Sequence, residues 1–297
     1  MSKIVVAILL WGFSLTALSA TILHEQRSLY SRLVVKKTGS MICLQFSVRA
    51  DQRNQSCVDT RQPKAMVFSY TRMSMAALLF AQDPQRILVI GLGGGTLPSA
   101  FHALYPQAHV DAVEIDPAVV AVAKQYFKFN EAPNLQVHVQ DARVWTKRAV
   151  RAGSTYDIIV LDAFNGDYIP EHLMTQEYLQ ETKALLAPGA ILVANTFAVS
   201  DLYDHESATY ASVFSSFINF RVPESANRLI MVPGKTLDDE ALSQRAVALS
   251  KALSAYSVPI KRYARIIKSR RKRGPDWRVD TRILTDQYSP ANLLKNR

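Results

Sequence analysis

From Arg86 onward the chain alternates short apolar runs with longer stretches whose apolar residues recur at helical spacing. Ile87 to Ile90, His109 to Glu114, Leu135 to Val139, Tyr156 to Leu161, Ile191 to Ala194 and Leu229 to Val232 read as buried strands. Helices are predicted over Ala118 to Phe127, introduced by Pro117 at its first turn, over Thr175 to Leu186, stopped by Pro188-Gly189, over about Glu206 to Phe217, and over Asp238 to Ala255. Strands alternating with helices predict an α/β fold with a mainly parallel sheet covered on both faces. Ligands of such sheets bind beyond the carboxyl ends of the strands.

The segment before this series has a different pattern. Leu33 to Val35, Met41 to Val48, Gln55 to Asp59 and Ala65 to Phe68 are short β-rich runs, separated by turn-prone Lys37 to Ser40 and polar Ala50 to Gln55. Met73 to Phe80 reads as a helix. The first residues are apolar all round: Lys3 is followed by Ile4 to Phe13 and then by Ser14 to Ala20. That length suits the apolar region of a signal peptide, and Ala17-Leu18-Ser19 offers small residues for cleavage. Counting on through Leu23, the same segment suits a short uncleaved anchor. Three units are therefore expected: a signal peptide or membrane anchor over 1–23, a small N-terminal β domain over 24–72, and a nucleoside-binding catalytic domain over 73–297. The expected location is membrane-associated or exported, with the side of the membrane open.

Composition adds little except at two points. Apolar content of 48% and charged content of 20% exclude a mostly disordered chain. The net charge of +10 is concentrated, with eight Lys or Arg residues between Lys261 and Arg273. This basic stretch suits either anionic lipid or nucleic acid, or else a solvated loop or strand edge. No nucleic-acid module accompanies it, so no specific nucleic-acid partner is expected. The two cysteines, Cys43 and Cys57, exclude a disulfide scaffold and give no zinc-ligand spacing; no metal is expected. If Met41 to Val48 and Gln55 to Asp59 form a hairpin turning near Ala50-Asp51, the two cysteines fall opposite each other within one residue of register. A bond there fits an exported chain, and reduced thiols fit a cytosolic one.

The candidate chemistry lies at the carboxyl ends of the predicted strands. Gly91-Leu92-Gly93-Gly94-Gly95-Thr96 leaves the first strand and enters a helix, and glycines there let a ligand approach the backbone closely. The dinucleotide fingerprint wants a further glycine where Thr96 stands, which weakens a nicotinamide-cofactor reading. Glu114 ends the second strand, 19 residues past Gly95, where an acid can accept from both ribose hydroxyls. Asp141-Ala142 follows the third strand, where a carboxylate can accept from an adenine amino group. Asp162 follows the fourth. Each acid alone reads as a helix cap or a solvated carboxylate. The set, a glycine loop and three acids on successive strand ends, points to a nucleoside site.

The order of these motifs, with Glu114-Ile115-Asp116-Pro117, Asp141-Ala142-Arg143 and Asp162-Ala163-Phe164, resembles the spermidine synthase (polyamine aminopropyltransferase) family, on a Rossmann-like, class I methyltransferase-like core. The resemblance runs from about Ser28 to Asp286, and Phe68-Ser69-Tyr70 is similar to the family's segment joining a small β domain to the core. It implies nucleoside contacts from Gly91, Gly93, Gly95, Glu114, Asp141 and Ala142, a catalytic Asp162, amine-substrate contacts from Tyr70, Asp162 and Asp167, and a lid over 163–173. It implies decarboxylated S-adenosylmethionine or S-adenosylmethionine as co-substrate, a small amine as partner and a homodimer as an option.

The chain departs from the family pattern at Gly94, Asn165 and Thr71, where the established enzymes carry an acid, an acid and a Gln or His. The nucleoside half matches and the amine half is altered, which places the chain nearer a divergent branch and predicts weak transfer onto putrescine. The competing readings are methyl transfer from S-adenosylmethionine and a non-catalytic nucleoside-binding protein.

Overall fold

The computed structural model describes residues 20–46, 53–164, 168–198 and 201–290. Its central sheet has seven strands in the order β10-β11-β9-β8-β5-β6-β7. These are β5 (Arg86–Ile90), β6 (His109–Glu114), β7 (Leu135–Val139), β8 (Tyr156–Leu161), β9 (Leu186–Phe197), β10 (Ile218–Arg221) and β11 (Asn227–Pro233). The strands from β7 through β9 run parallel, and β11 and β10 close that edge antiparallel. Buried residues alternate toward two cores along each central strand: Ile87 and Val89 of β5 face one, Leu88 and Ile90 the other. Helices α2 (Thr96–Leu104), α3 (Pro117–Tyr126), α4 (Ala142–Arg151), α5 (Gln176–Lys183), α6 (Leu202–Val213), α7 (Asp239–Ser254) and α8 (Ile260–Arg270) cover the sheet. The expected α/β fold with a mainly parallel sheet is therefore present.

The chain leaves β5 for β6 on one side and returns to β8 on the other. This change of direction opens a crevice at the carboxyl ends of β5 and β8, the place where sheets of this kind hold ligands.

Ahead of this core stands an antiparallel sheet of β1 (Thr21–Arg27), β2 (Arg32–Thr38), β3 (Met41–Phe46) and β4 (Asn54–Asp59), in sequential order. Its apolar face, with Leu33, Val35 and Leu44 fully buried, packs on Val119, Val122 and Phe127 of and beside α3. Ser28 adds a polar tie, donating to Asp116 at 2.5 Å. Asp116 caps α3 by accepting from the Ala118 amide at 2.9 Å. The small sheet is thereby set over the end of β6. In β3 and β4 Cys43 faces Cys57 in register, Cα to Cα 4.1 Å apart, and the two are joined by a disulfide. The pairing follows from the hairpin register.

Several expectations are corrected. The expectation of a membrane-associated or exported chain is overturned: among the described residues no helix is long and apolar enough to cross a membrane. Thr21 to Leu23, counted toward an anchor, instead open strand β1. Met1 to Ser19 lie outside the described residues. Ala65 to Phe68 form no strand; they lead into α1 (Ser69–Ser74), which continues as a 3₁₀ turn over Met75–Leu79. Pro188-Gly189 sit within β9 rather than between helix and strand, beside an irregularity in its pairing with β8. The basic stretch is helical from Lys261 to Arg270, and Arg271 to Arg273 follow in a turn. Ile260, Tyr263, Ala264 and Ile267 of α8 recur at helical spacing and are buried, so the cations occupy its outer face. Part of that charge is neutralised, by Arg262 with Glu224 and by Arg271 and Lys272 with Asp239.

Candidate functional site

A cleft of about 250 Å³ lies where the small sheet meets the crevice. Every described site residue expected from the sequence lines it or borders it. Gly91, Gly93, Glu114, Asp141, Ala142, Asp162 and Tyr70 are in its wall. Gly95, at the N-terminus of α2, stands just behind, against the Phe129 ring. Asp167 and Asn165 lie outside the described residues.

The glycine loop is shaped by its neighbour. Gly91 has φ +98°, and a Cβ there would stand 2.3 Å from the backbone oxygen of Asp162. Its amide donates to Val113 O, and the Asp162 amide donates to Ile90 O, each at 2.8 Å. The loop and the Asp162 backbone are thus pressed together, and only glycine permits it.

Glu114 turns inward at the end of β6. Its two carboxylate oxygens accept from the Leu92 and Asp116 amides, each at 3.1 Å. Burial pushes its pKa up despite these bonds. Each oxygen has a second lone pair, so two hydroxyls of a ribose can be accepted at once.

Asp141 is the N-cap of α4, accepting from the Val144 amide at 2.9 Å, and its other oxygen lies 2.9 Å from His172 Nε2. The cap reading of this residue is met, and its second oxygen is turned to the cleft wall at His172. His172, at the end of the expected lid, was not legible as a site residue. Nothing local marks it, and its partner is 31 positions away.

Asp162 is the acid of the site whose pKa is raised furthest. Burial raises its pKa to about 7, opposed by hydrogen bonds from Asn195 and Tyr70. Asn195 Nδ2 donates to it at 2.8 Å, and Asn227 in turn donates to Asn195 Oδ1 at 3.0 Å. The Tyr70 hydroxyl is held far above its ordinary range, by burial first and then by the charge of Asp162. Asn195, on β9, and Asn227, on β11, were missed because their link to Asp162 exists only once the strands are adjacent. Thr71 spends its hydroxyl on Phe68 O at 2.8 Å. Among the described residues no group of three His, Cys, Asp or Glu is placed to hold a metal ion.

Behind the site, a buried cluster fixes the end of β9. Arg228 is fully buried, pairs with Glu206 at 2.6 Å, and donates to Thr196 at 2.9 Å and Ser207 at 2.6 Å.

The sheet order and the row of strand-end groups define a class, the transferases built on the class I methyltransferase-like fold. Residues 67–233 match the spermine/spermidine synthase domain. The chain is 51% identical over 279 residues to a polyamine aminopropyltransferase of Vibrio vulnificus (strain CMCP6), covering 93% of this chain and 92% of the relative. The chain belongs to the spermine/spermidine synthase family, and it is an enzyme, a transferase. The fold is similar to that of a probable spermidine synthase from Corynebacterium glutamicum, with a TM-score of 0.65 and 22% identity, covering 86% of this chain and 98% of that one. It is also similar to human methyltransferase-like protein 13 in complex with SAH, with a TM-score of 0.58 and 27% identity, covering 63% of this chain and 93% of that one.

Proposed function

We propose that the protein transfers an alkyl group, an aminopropyl group in the leading reading, from the sulfonium of an S-adenosyl nucleoside to a small amine. The observation that carries this reading is a buried Asp162, with its pKa near 7, in the same cleft as Glu114 and Asp141. The family relation supports the aminopropyl donor. Gly94, where the established enzymes carry an acid, keeps methyl transfer from S-adenosylmethionine as the second reading.

In this reading Glu114 takes the ribose hydroxyls, and Asp141, with Ala142 beside it, takes the adenine. The loop Gly91 to Gly95 lets the sulfonium lie close to the backbone. The acceptor amine must attack as a free base, because an ammonium has no lone pair. Asp162 takes its proton, with Tyr70 and Asn195 fixing the carboxylate. Nitrogen attacks the carbon on sulfur in line, the C–N bond forms as the C–S bond breaks, and the sulfonium leaves as a neutral thioether. Holding both partners in one cleft supplies much of the rate. A carboxyl group with a pKa near 7 is suited to accept a proton and release it to water at neutral pH. We further propose the small β domain, 24–72, as the wall that closes the cleft, and the segment 163–173 as its cover.

The reading is tested by calorimetry with decarboxylated S-adenosylmethionine, S-adenosylmethionine and their thioether products. Binding of at least one is expected. No binding of any by the wild-type chain would end the proposal.

A further inference from the structure

Beside the glycine loop the cleft wall carries an uncharged hydroxyl. Ser56, on β4, is buried, and its hydroxyl accepts from the Gly94 amide at 2.9 Å. Tyr30, Ser31, Phe46 and Gln55 also line the cleft, as does Asp116, which accepts from Ser28 Oγ beside Ser31. The carboxylates of the cleft, Glu114, Asp116, Asp141 and Asp162, stand at or just past the ends of β6, β7 and β8. Position 94 itself has no room for a side chain. A Cβ there would lie 2.9 Å from Ser56 Oγ and 2.9 Å from the Phe127 ring. Ser56 and Phe127 therefore fill the space that a side chain at 94 would need, and of the two Ser56 lines the cleft.

A sulfonium nucleoside carries a tail past the sulfur, ending in an ammonium alone or in an ammonium and a carboxylate. A hydroxyl that accepts one amide hydrogen bond keeps a lone pair and a proton, so it suits either tail end. A carboxylate in the same place would attract the first and repel the carboxylate of the second. We propose that Ser56 is a specificity-determining residue, and that its neutral hydroxyl is what allows this cleft to take both kinds of donor tail. The inference rests on the donor reading above.

The test measures dissociation constants of three nucleosides for the wild type, Ser56→Ala and Ser56→Asp. The three are decarboxylated S-adenosylmethionine, S-adenosylmethionine, and 5′-methylthioadenosine, which lacks the tail. In the wild type the two tailed donors should bind within about tenfold of each other, the scale of one charged hydrogen bond. Ser56→Asp should move their ratio toward the decarboxylated donor by about tenfold or more, while the tailless nucleoside changes by less than about threefold. Ser56→Ala, which introduces no charge, should weaken both tailed donors together and serves if the aspartate variant does not fold. The inference is overturned if the aspartate variant leaves the donor ratio unchanged. It is overturned also if either variant alters the tailless nucleoside as much as the tailed ones. If no nucleoside binds the wild type, it is the donor reading itself that fails.

Discussion

Asp162 and Asn195 face each other across the β8 and β9 strand ends, the amide nitrogen 2.8 Å from the carboxylate. The bond offsets only part of the cost of burying the acid, and the pKa stays near 7. Below that value the folded protein holds a proton that the unfolded chain, with an ordinary carboxyl, gives up. The native state is therefore favoured by this group at low pH, and the advantage is lost as pH rises from about 4 to about 7. Asp162→Asn removes the ionisation. The variant should exceed the wild type in stability by on the order of 2–4 kcal/mol at pH 8, and by little near pH 4 to 5. Urea unfolding at both pH values checks this. The same group should give kcat/KM an acid limb near pH 7 that the variant lacks.

Asp141 serves both a helix and a ligand, so its removal should have two separable effects. Asp141→Ala should cost about 1 kcal/mol of stability through the lost cap of α4. It should also weaken nucleoside binding by roughly 1–3 kcal/mol. His172→Ala, on the other side of the pair, leaves the cap in place and should move stability by no more than about 0.5 kcal/mol. Denaturant melts set beside calorimetry of the two variants separate the two roles. Equal stability loss in both would contradict the cap.

The disulfide Cys43–Cys57 ties two strands that already pair, with a sequence separation of 14. Cross-linking a loop of that length restricts the unfolded chain, by about 3 kcal/mol on the chain-entropy estimate. Reduction, or Cys43→Ser with Cys57→Ser, should lower the urea midpoint accordingly. An unchanged midpoint under strong reductant would show that the bond contributes nothing.

Arg228 has no access to solvent, and its charge is answered by Glu206, whose own pKa burial raises. Arg228→Met leaves Glu206 buried without its partner and should destabilise by about 3–5 kcal/mol. Changing both, with Glu206→Gln, should recover a large share of that loss. A thermal melt of the single and double variants measures it.

The strand-end acids were legible because each lies next to a pattern boundary, where an apolar run stops and a polar residue follows. Ile87 to Ile90 and Tyr156 to Leu161 could be placed from local sequence alone, and with them Gly91 and Asp162. β10 and β1 were not, since each is short or largely exposed and owes its form to one neighbouring strand. Helix α8 was hidden by its charge: the apolar set Ile260, Tyr263, Ala264 and Ile267 was present, and the cations around it drew the reading toward loop or membrane surface. Asn195, His172 and Ser56 carry no local signal. Their place in the site comes from pairings 33, 31 and 38 residues apart in sequence.

The most direct measurement of the proposed chemistry is release of a thioether nucleoside that depends on an added amine. The protein would be incubated at pH 8 with decarboxylated S-adenosylmethionine or S-adenosylmethionine and a panel of small amines, and the nucleosides separated by chromatography. The transferase reading predicts amine-dependent thioether with at least one donor, formed together with an equal amount of alkylated amine. Putrescine is expected to be a weak acceptor. Asp162→Asn should cut the rate by roughly 10²-fold or more, the scale of a lost general base. No amine-dependent thioether from either donor, or an Asp162→Asn variant as fast as the wild type, would contradict it.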